Sequence, residues 1–325
     1  NLKTQEGKDI LKSLVKEADI LLENYRPGVM DKLGLGYDVL KEINPGLIYG
    51  ALSGFGSYGP YSQRPGYDII SQGMGGLMSV TGAKGGEPTR SGNAMGDILG
   101  GMNLVIGVLM AVNARNMTGV GQRIDVSLVD SVVASLENAY IRYFKSGELP
   151  VRNGNAYASI APYDTYRAKD GRVIIACGNQ KLYERLCNEV LDMAWMITDE
   201  RFLNVPLRVA NNEIQKQYIE EWTMQYTVDE IVEKVLAKGI PAAPIFNVKQ
   251  ITEDEHIAKA REMFIEIDHP TIGRMKVNGS PIKLMDMMPR INCPAPTLGQ
   301  HNEEILEGLG YTAEQIADFK ERGVI

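Results

Sequence analysis

Leu47-Ile48-Tyr49-Gly50-Ala51-Leu52 is an uncharged hexapeptide set between a Pro45-Gly46 stop and a Ser53-Gly54 turn. Its length is that of a strand, and its unbroken apolar character is that of a strand covered on both faces. Upstream, Ile20-Leu21-Leu22 reads the same way, as a short buried strand. Between the two, Asp38 to Asn44 places Val39, Leu40 and Ile43 on one helical face and stops at Pro45-Gly46. Before them, residues 7–22 carry Ile10, Leu11, Leu14, Val15 and Ala18 at helical spacing. Alternating helices and buried strands predict an α/β fold with a doubly wound, Rossmann-like parallel sheet. Downstream, Arg123 to Leu128 alternates polar and apolar, as a half-buried strand does, and a helix is predicted over Val129 to Lys145.

Between these segments the chain changes character. Residues 53–96 are rich in Gly, Ser and Pro, with one short helical piece around Tyr67 to Met74, and loops this long are usually functional. They end in Arg90-Ser91-Gly92-Asn93-Ala94-Met95-Gly96-Asp97, after which Ile98 to Val112 carries no charge and one amide, Asn103. That run is shorter than the roughly 20 residues that cross a bilayer, so it reads as a buried core helix. Asp97 stands where the helix begins. A carboxylate there gains from the backbone N–H groups and the helix dipole, which suits either a cap or a nucleophile.

A second unit is predicted from about residue 150. Lys169-Asp170-Gly171 joins Pro162–Arg167 to Arg172–Cys177 as a hairpin, and helices follow at about 180–191, 211–224 and 228–238. The last of these has Thr227 and Glu230 as a capping box and Gly239 at its end. Residues 240–300, with Pro241, Pro244, Pro270, Pro281, Pro289, Pro294 and Pro296, read as connecting strands and an extended return path. A short C-terminal helix opens with Thr312 and Gln315. The expected division is 1–145 as a large domain, 150–250 as a smaller α+β domain, and 251–325 as a return completing the large one. Asn1-Leu2-Lys3-Thr4 reads like a strand entering a helix, which predicts that an N-terminal portion precedes it.

Composition narrows the function. The chain has 325 residues and a net charge of −7, which argues against nucleic acid and anionic membrane surfaces. Cys177, Cys187 and Cys293 are far apart and form no CxxC, so neither a disulfide framework nor a zinc site is indicated and a reduced, cytoplasmic setting fits. His256, His269 and His301 have no partner at metal-ligand spacing. Gly54-Phe55-Gly56-Ser57-Tyr58-Gly59 fits GxGxxG after a strand, but Pro60 follows and no helix opens at Gly59, so NAD is not expected. Asn24-Tyr25-Arg26-Pro27-Gly28, leading to Asp31-Lys32-Leu33-Gly34, ends a strand. Beyond strand C-termini is where open α/β sheets bind ligands, and an aromatic ring, an amide and two cations there suit a nucleotide and its phosphates or a solvated turn equally. Tyr67-Asp68 and Asp97 both lie in the loop-rich region, where they could converge.

Taken in order, these segments resemble the class III CoA-transferase (CaiB/BaiF) family. The matching stretches are Glu23 to Gly28 with Leu33-Gly34, Asn44-Pro45, Ser53-Gly54-Phe55-Gly56, Gly59-Pro60, Gly66-Tyr67-Asp68 and Gly92 to Asp97. Thr118-Gly119-Val120-Gly121-Gln122, Asp170-Gly171, Asp199-Glu200-Arg201-Phe202 and Gly239 to Pro244 continue the series. The resemblance implies that Asp97 is a nucleophile carrying first an acyl group, as a mixed anhydride, and then CoA, as an aspartyl thioester. It implies coenzyme A or an acyl-CoA as substrate without a metal, carboxylic acids as partners, and a homodimer of interlocked rings. Asn24, Tyr25, Lys32 and Leu33 match CoA-contacting positions, with Lys32 as the phosphate contact. Tyr67 matches an active-site tyrosine of the transferases. In the related α-methylacyl-CoA racemases that position is a histidine that moves a proton at the α-carbon, and a phenol is a poor base at neutral pH. Formyl-CoA:oxalate transferases have a run of glycines where this chain has Arg152-Asn153-Gly154-Asn155-Ala156, which points away from an oxalate-specific enzyme. An acyl-CoA racemase, a nucleotide-dependent oxidoreductase and a non-catalytic CoA-binding or assembly protein are the alternatives.

Overall fold

Thr4 opens the first helix in the computed structural model, which describes residues 1–287 and 293–325. Its hydroxyl accepts the Gly7 N–H at 3.1 Å and caps α1 (Gln5–Val15). Strand β1 (Ile20–Glu23), helices α2 (Val29–Lys32) and α3 (Tyr37–Ile43) and strand β2 (Ile48–Ser53) follow. Asn44 stops α3: its amide donates to the carbonyls of Val15 (3.0 Å) and Ala18 (2.9 Å), and its oxygen accepts the Gly46 N–H at 2.9 Å. One side chain thus ties the end of α1 to the entry of β2. After α4 (Asp68–Met74), α5 (Leu77–Val80) and α6 (Met95–Thr118), strand β3 (Arg123–Ser127) completes a parallel sheet of order β1-β2-β3. The register pairs Ile20 with Ile48 and Tyr49 with Arg123. The fold is therefore α/β around a parallel sheet, as the apolar hexapeptide predicts.

The strands differ in burial as their positions require. In the central strand β2, Ile48, Tyr49, Gly50, Ala51 and Ser53 are all buried. In β1, expected to be buried, Ile20 and Leu22 are exposed, because the strand pairs along one edge only among the described residues. Helix α6 also departs from expectation. It runs 24 residues, and only one face is buried, through Gly96, Gly100, Leu104, Val108 and Ala111 at spacings of four and three. Met102, Val105, Ile106, Leu109 and Met110 on other faces are exposed, so it is not a fully buried helix. The buried face lies close against the sheet: a Cβ on Gly100 would meet Leu128 at 2.6 Å and Leu52 at 3.2 Å.

The turn after α6 is equally tight. Gly119 takes the left-handed conformation (φ 75°) that ends the helix, and Gly121 donates its N–H to the Pro45 carbonyl at 2.9 Å. A Cβ on Gly121 would lie 2.1 Å from the Leu47 carbonyl oxygen. Backbone cannot retreat as a side-chain tip can. Gly121→Ala is therefore expected to cost about 1–3 kcal/mol, read as a lower urea midpoint at unchanged slope. Beyond β3, the predicted single helix is two, α7 (Leu128–Ala134) and α8 (Ala139–Ser146). Ser135 breaks it: its hydroxyl donates to the Val132 carbonyl at 2.7 Å, competing with the helix ladder, and Glu137 is left-handed at φ 55°.

Residues Asn155–Ala295 form a second unit. β4 (Tyr163–Arg167) and β5 (Arg172–Ala176) make the predicted hairpin, pairing Arg167 with Arg172, and β6 (Ala242–Pro244) adds antiparallel to β5. Helix α9 (Gln180–Arg185) runs on into a π-helical stretch, Leu186–Val190, and α10 (Trp195–Thr198), α11 (Val205–Ala210), α12 (Asn212–Thr223) and α13 (Val228–Leu236) follow. Their inner faces bury Tyr183, Leu186, Phe202, Ile219 and Ile231 with Tyr166 and Ile175 of the sheet. The Thr227–Glu230 capping box forms at the start of α13.

The proline-bearing segment is more regular than expected, holding α14 (Val248–Glu253), a π-helical stretch Glu255–Ala260 and the hairpin β7 (Phe264–His269)–β8 (Gly273–Asn278). Pro289 lies outside the described residues. Residues 251–295, expected in the return, fall in this second unit, and the return is Pro296–Ile325 with α15 (Asn302–Gly308) and α16 (Ala313–Glu321). Leu306, Ile316, Phe319 and Val324 form a small core there, against which Ile10 of α1 packs, and the Asn1 backbone nitrogen donates to the Val324 carbonyl at 2.8 Å.

Candidate active site

The C-terminal ends of β1 and β2 open onto a cavity of about 360 Å³. Asn24, just past β1, donates its amide to the Leu52 carbonyl at 2.6 Å, which fixes the two strand exits side by side. Tyr25 follows, its N–H held by the Glu23 carboxylate at 2.6 Å. Burial pushes the Glu23 carboxyl up. The cavity is lined by Asn24, Tyr25, Arg26 and Pro27 from the β1 exit and by Leu52, Ser53 and Gly54 from the β2 exit. Arg64, Pro65, Gly66 and Tyr67 line it from the loop into α4, with Asp97 of α6 and Leu128. Four residues singled out from sequence, Asn24, Tyr25, Tyr67 and Asp97, therefore share one cavity at the strand ends, where open α/β sheets bind ligands.

Asp97 is not the cap of its helix. The capping position is Ala94, which has no side-chain oxygen to offer. The Asp68 carboxylate instead accepts the Gly96 N–H at 2.8 Å, from 28 residues away in sequence. Asp97, third residue of α6, is exposed and makes no side-chain hydrogen bond or ion pair among the described residues. Partial desolvation and, after it, the negative charge of Asp68 push its carboxyl above the usual carboxylate range. An uncommitted carboxylate over a cavity, with raised basicity, is equipped to attack an electrophile.

Tyr67 is the residue before α4 and its ring is exposed at 77 %. Lys32 and Leu33, at the end of α2, are not among the cavity's lining: Lys32 is exposed, and Leu33 packs against the core around Leu35 and Leu40. Sequence reasoning missed Arg64. Its guanidinium stacks 3.9 Å from the Tyr61 ring centroid and pairs with no carboxylate among the described residues, and with Arg26 it brings two cations to the cavity. The signal was local, since Arg64 is three residues before Tyr67. Gly59, which a dinucleotide fold would need at a helix start, lies in a loop with φ 88°, and the next helix begins at Asp68. Among the described residues no group of three or more His, Cys, Asp or Glu is placed to hold a metal.

The chain is similar to proteins whose names describe related chemistry. It is 39% identical over 327 residues, all of this chain and 71% of the other, to an acyl-CoA transferase of Fusarium pseudograminearum. It is 36% identical over 315 residues to the succinyl-CoA:mesaconate CoA-transferase of Haloarcula marismortui, covering 95% of this chain and 78% of that one. A crystal structure of a CaiB/BaiF family protein from Brucella suis superposes with a TM-score of 0.80 at 39% identity, over 95% of this chain and 80% of the other. The profile that matches residues 1–302 is that of CoA-transferase family III, and the chain belongs to that family.

Proposed function

We propose that this chain moves CoA from a donor acyl-CoA to an acceptor carboxylic acid with Asp97 as the covalent carrier. The observation that carries the reading is the uncommitted Asp97 carboxylate, which lines the strand-end cavity together with Tyr67. The carboxylate attacks the thioester carbonyl of the donor, giving an aspartyl mixed anhydride and CoA thiolate. The thiolate attacks the aspartyl carbonyl, giving aspartyl-CoA thioester and releasing the donor acid. The acceptor carboxylate attacks that thioester, expelling the thiolate and forming a second mixed anhydride. Attack of the thiolate on the acceptor's carbonyl yields the new acyl-CoA and restores the Asp97 carboxylate. No net proton moves, which suits a site offering a carboxylate and a phenol rather than a histidine base.

Asn24, Tyr25, Lys32 and Leu33 belong in this reading to CoA binding, Asn24 and Tyr25 at the cavity and Lys32 as a phosphate contact beyond it. Arg26 and Arg64 supply positive charge for an anionic acid. The Haloarcula relative is named for mesaconate, a dicarboxylate, and succinyl-CoA, the thioester of another, and we extend that substrate class to this chain. Arg64→Ala is expected to raise KM for the acceptor acid about tenfold or more with kcat changed little, in initial-rate measurements with a dicarboxylate. The chain is further proposed to act in the cytoplasm as an interlocked homodimer, its large domain a doubly wound Rossmann-like sheet and its second unit an α+β domain. Intact-mass analysis after incubation with a panel of acyl-CoAs tests the reaction: a CoA adduct that Asp97→Ala lacks supports it, and an adduct that survives in Asp97→Ala excludes it.

A further inference from the structure

Tyr67 precedes α4 and Asp97 lies in the first turn of α6, and the bond joining those helices runs between their immediate neighbours. Asp68 Oδ1 accepts the Gly96 N–H at 2.8 Å. Asp68 Oδ2 accepts from the Gln72 amide at 2.9 Å, and the same amide donates to the Asn93 carbonyl at 3.1 Å. The Gln72 oxygen accepts the Ser91 N–H at 2.9 Å, and the Ser91 hydroxyl shares its one proton between that oxygen (3.1 Å) and the Asn93 carbonyl (2.9 Å). Gln72 is fully buried. Its side chain therefore spends donors and acceptor alike on bridging α4 to residues 91–93, the chain that enters α6. Ser71, 1 % exposed, donates its hydroxyl to the Asp68 carbonyl at 2.7 Å. The two helices are in close contact here: a Cβ on Gly96 would lie 2.0 Å from the Ser71 hydroxyl oxygen. A polar network centred on the buried Gln72 amide favours one arrangement, because each alternative leaves a buried donor or acceptor of that side chain unpaired.

We propose that Asp68 and Gln72 are positioning residues of the reaction, locking the start of α6, which carries Asp97, to the start of α4, which carries Tyr67. The assignment rests on the reading of Asp97 as acyl carrier. The network acts first by geometry: it sets where the Asp97 carboxylate stands relative to Tyr67 and the cavity, and a misplacement of about 1 Å at a reacting group can cost about a hundredfold in rate. It acts second by charge. Asp68, first residue of α4, acts on Asp97 through its negative charge, while Tyr67, Tyr25, Arg26 and Arg64 share the cavity with Asp97. Arg90 reaches Asp68 at 3.9 Å rather than Asp97. The Asp68 charge favours protonation of Asp97, so Asp97 is a stronger base once ionised and must lose its proton at a higher pH.

The test is steady-state kinetics of the full chain with one acyl-CoA donor and one acceptor acid, in Asp68→Ala, Asp68→Asn and Gln72→Ala, with Asp97→Ala alongside. Asp68→Ala and Gln72→Ala are expected to lower kcat about ten- to a hundredfold with KM for the acyl-CoA within twofold. Asp68→Asn keeps an acceptor for the Gly96 N–H and removes the charge, at the loss of the acceptor that the Gln72 amide uses. The acid limb of its kcat/KM profile is expected to move to lower pH, which a merely structural role would not produce. Kinetics of Asp68→Ala and Gln72→Ala like those of the parent, or losses matched by a rise in KM, overturn the proposal, as does an unmoved acid limb in Asp68→Asn. Asp97→Ala separates the two levels. An active Asp97→Ala sinks the reading of the nucleophile, whereas an inactive Asp97→Ala beside normal Asp68 and Gln72 variants sinks the positioning alone.

Discussion

Asp97→Ala is expected to lower the rate of CoA transfer by about four orders of magnitude or more, with the chain still folded. The size follows from what is lost. Without the carboxylate there is no oxygen to take the acyl group, and neither Tyr67 nor the cavity's arginines can replace it. The remaining site can bind a thioester and polarise it, which leaves only a residual rate. Folding should be spared because Asp97 caps nothing: the Gly96 N–H is held by Asp68, and the Asp97 side chain makes no hydrogen bond among the described residues. Asp97→Asn should be nearly as inactive, since an amide is a poor nucleophile of the same shape. Rates of acyl-CoA formation alongside a thermal melt check both halves. A variant that is inactive because it is unfolded would contradict the absence of a structural role.

Arg208→Ala is expected to be the most damaging single change to stability, at about 4–6 kcal/mol, a sum of unmet buried acceptors and a void. Arg208 is 1 % exposed. Its guanidinium donates to the Ala161 carbonyl at 2.8 Å, the Phe202 carbonyl at 2.9 Å and the Gln180 side chain at 2.9 Å, and lies 4.2 Å from the Tyr183 ring centroid. Burial pulls its pKa below the usual value for arginine. Truncation leaves two buried carbonyls without donors and empties the space beside Tyr183. Such a cost approaches the whole stability of an ordinary domain. Arg208→Lys should recover only part of it, because a single ammonium cannot reproduce the planar fork. Trp195 and Trp222 are the chain's two tryptophans and both belong to this unit, so their fluorescence in a urea titration reports its unfolding. A loss below about 1 kcal/mol would show that the carbonyls find other partners.

What could be read from sequence and what could not divides along chain separation. The apolar hexapeptide at 47–52, the Lys169-Asp170-Gly171 hairpin and the Thr227 and Thr312 capping boxes are local signals, and each forms as read. Asp97 was legible as the opening of an apolar helix, and the ordered family resemblance gave it a role. Its cap was not legible, because Asp68 reaches Gly96 across 28 residues and such a contact leaves no periodicity in the chain. For the same reason nothing in the sequence marks Gln72 within its short helix, although it is wholly buried and ties α4 to residues 91–93. Helix α6 looked buried because composition does not say which faces are covered. The break between α7 and α8 turns on one serine hydroxyl and one left-handed Glu137, neither of which interrupts the hydrophobic pattern. Lys32 and Leu33 show the converse: the resemblance supplied their roles, and neither lines the cavity that holds Asn24, Tyr25, Tyr67 and Asp97.

The most direct test of Asp97 as carrier follows the oxygen atoms. When the acceptor carboxylate attacks the aspartyl thioester, one of its oxygens becomes the bridge of the mixed anhydride. Attack of the thiolate on the acceptor's carbonyl then leaves that oxygen on Asp97. Turnover with an acceptor acid labelled with heavy oxygen in its carboxylates, followed by proteolysis and mass spectrometry, should find the label in the peptide containing Asp97, first one heavy oxygen and then two. Labelled acceptor converted to acyl-CoA with no heavy oxygen in that peptide would contradict the covalent account.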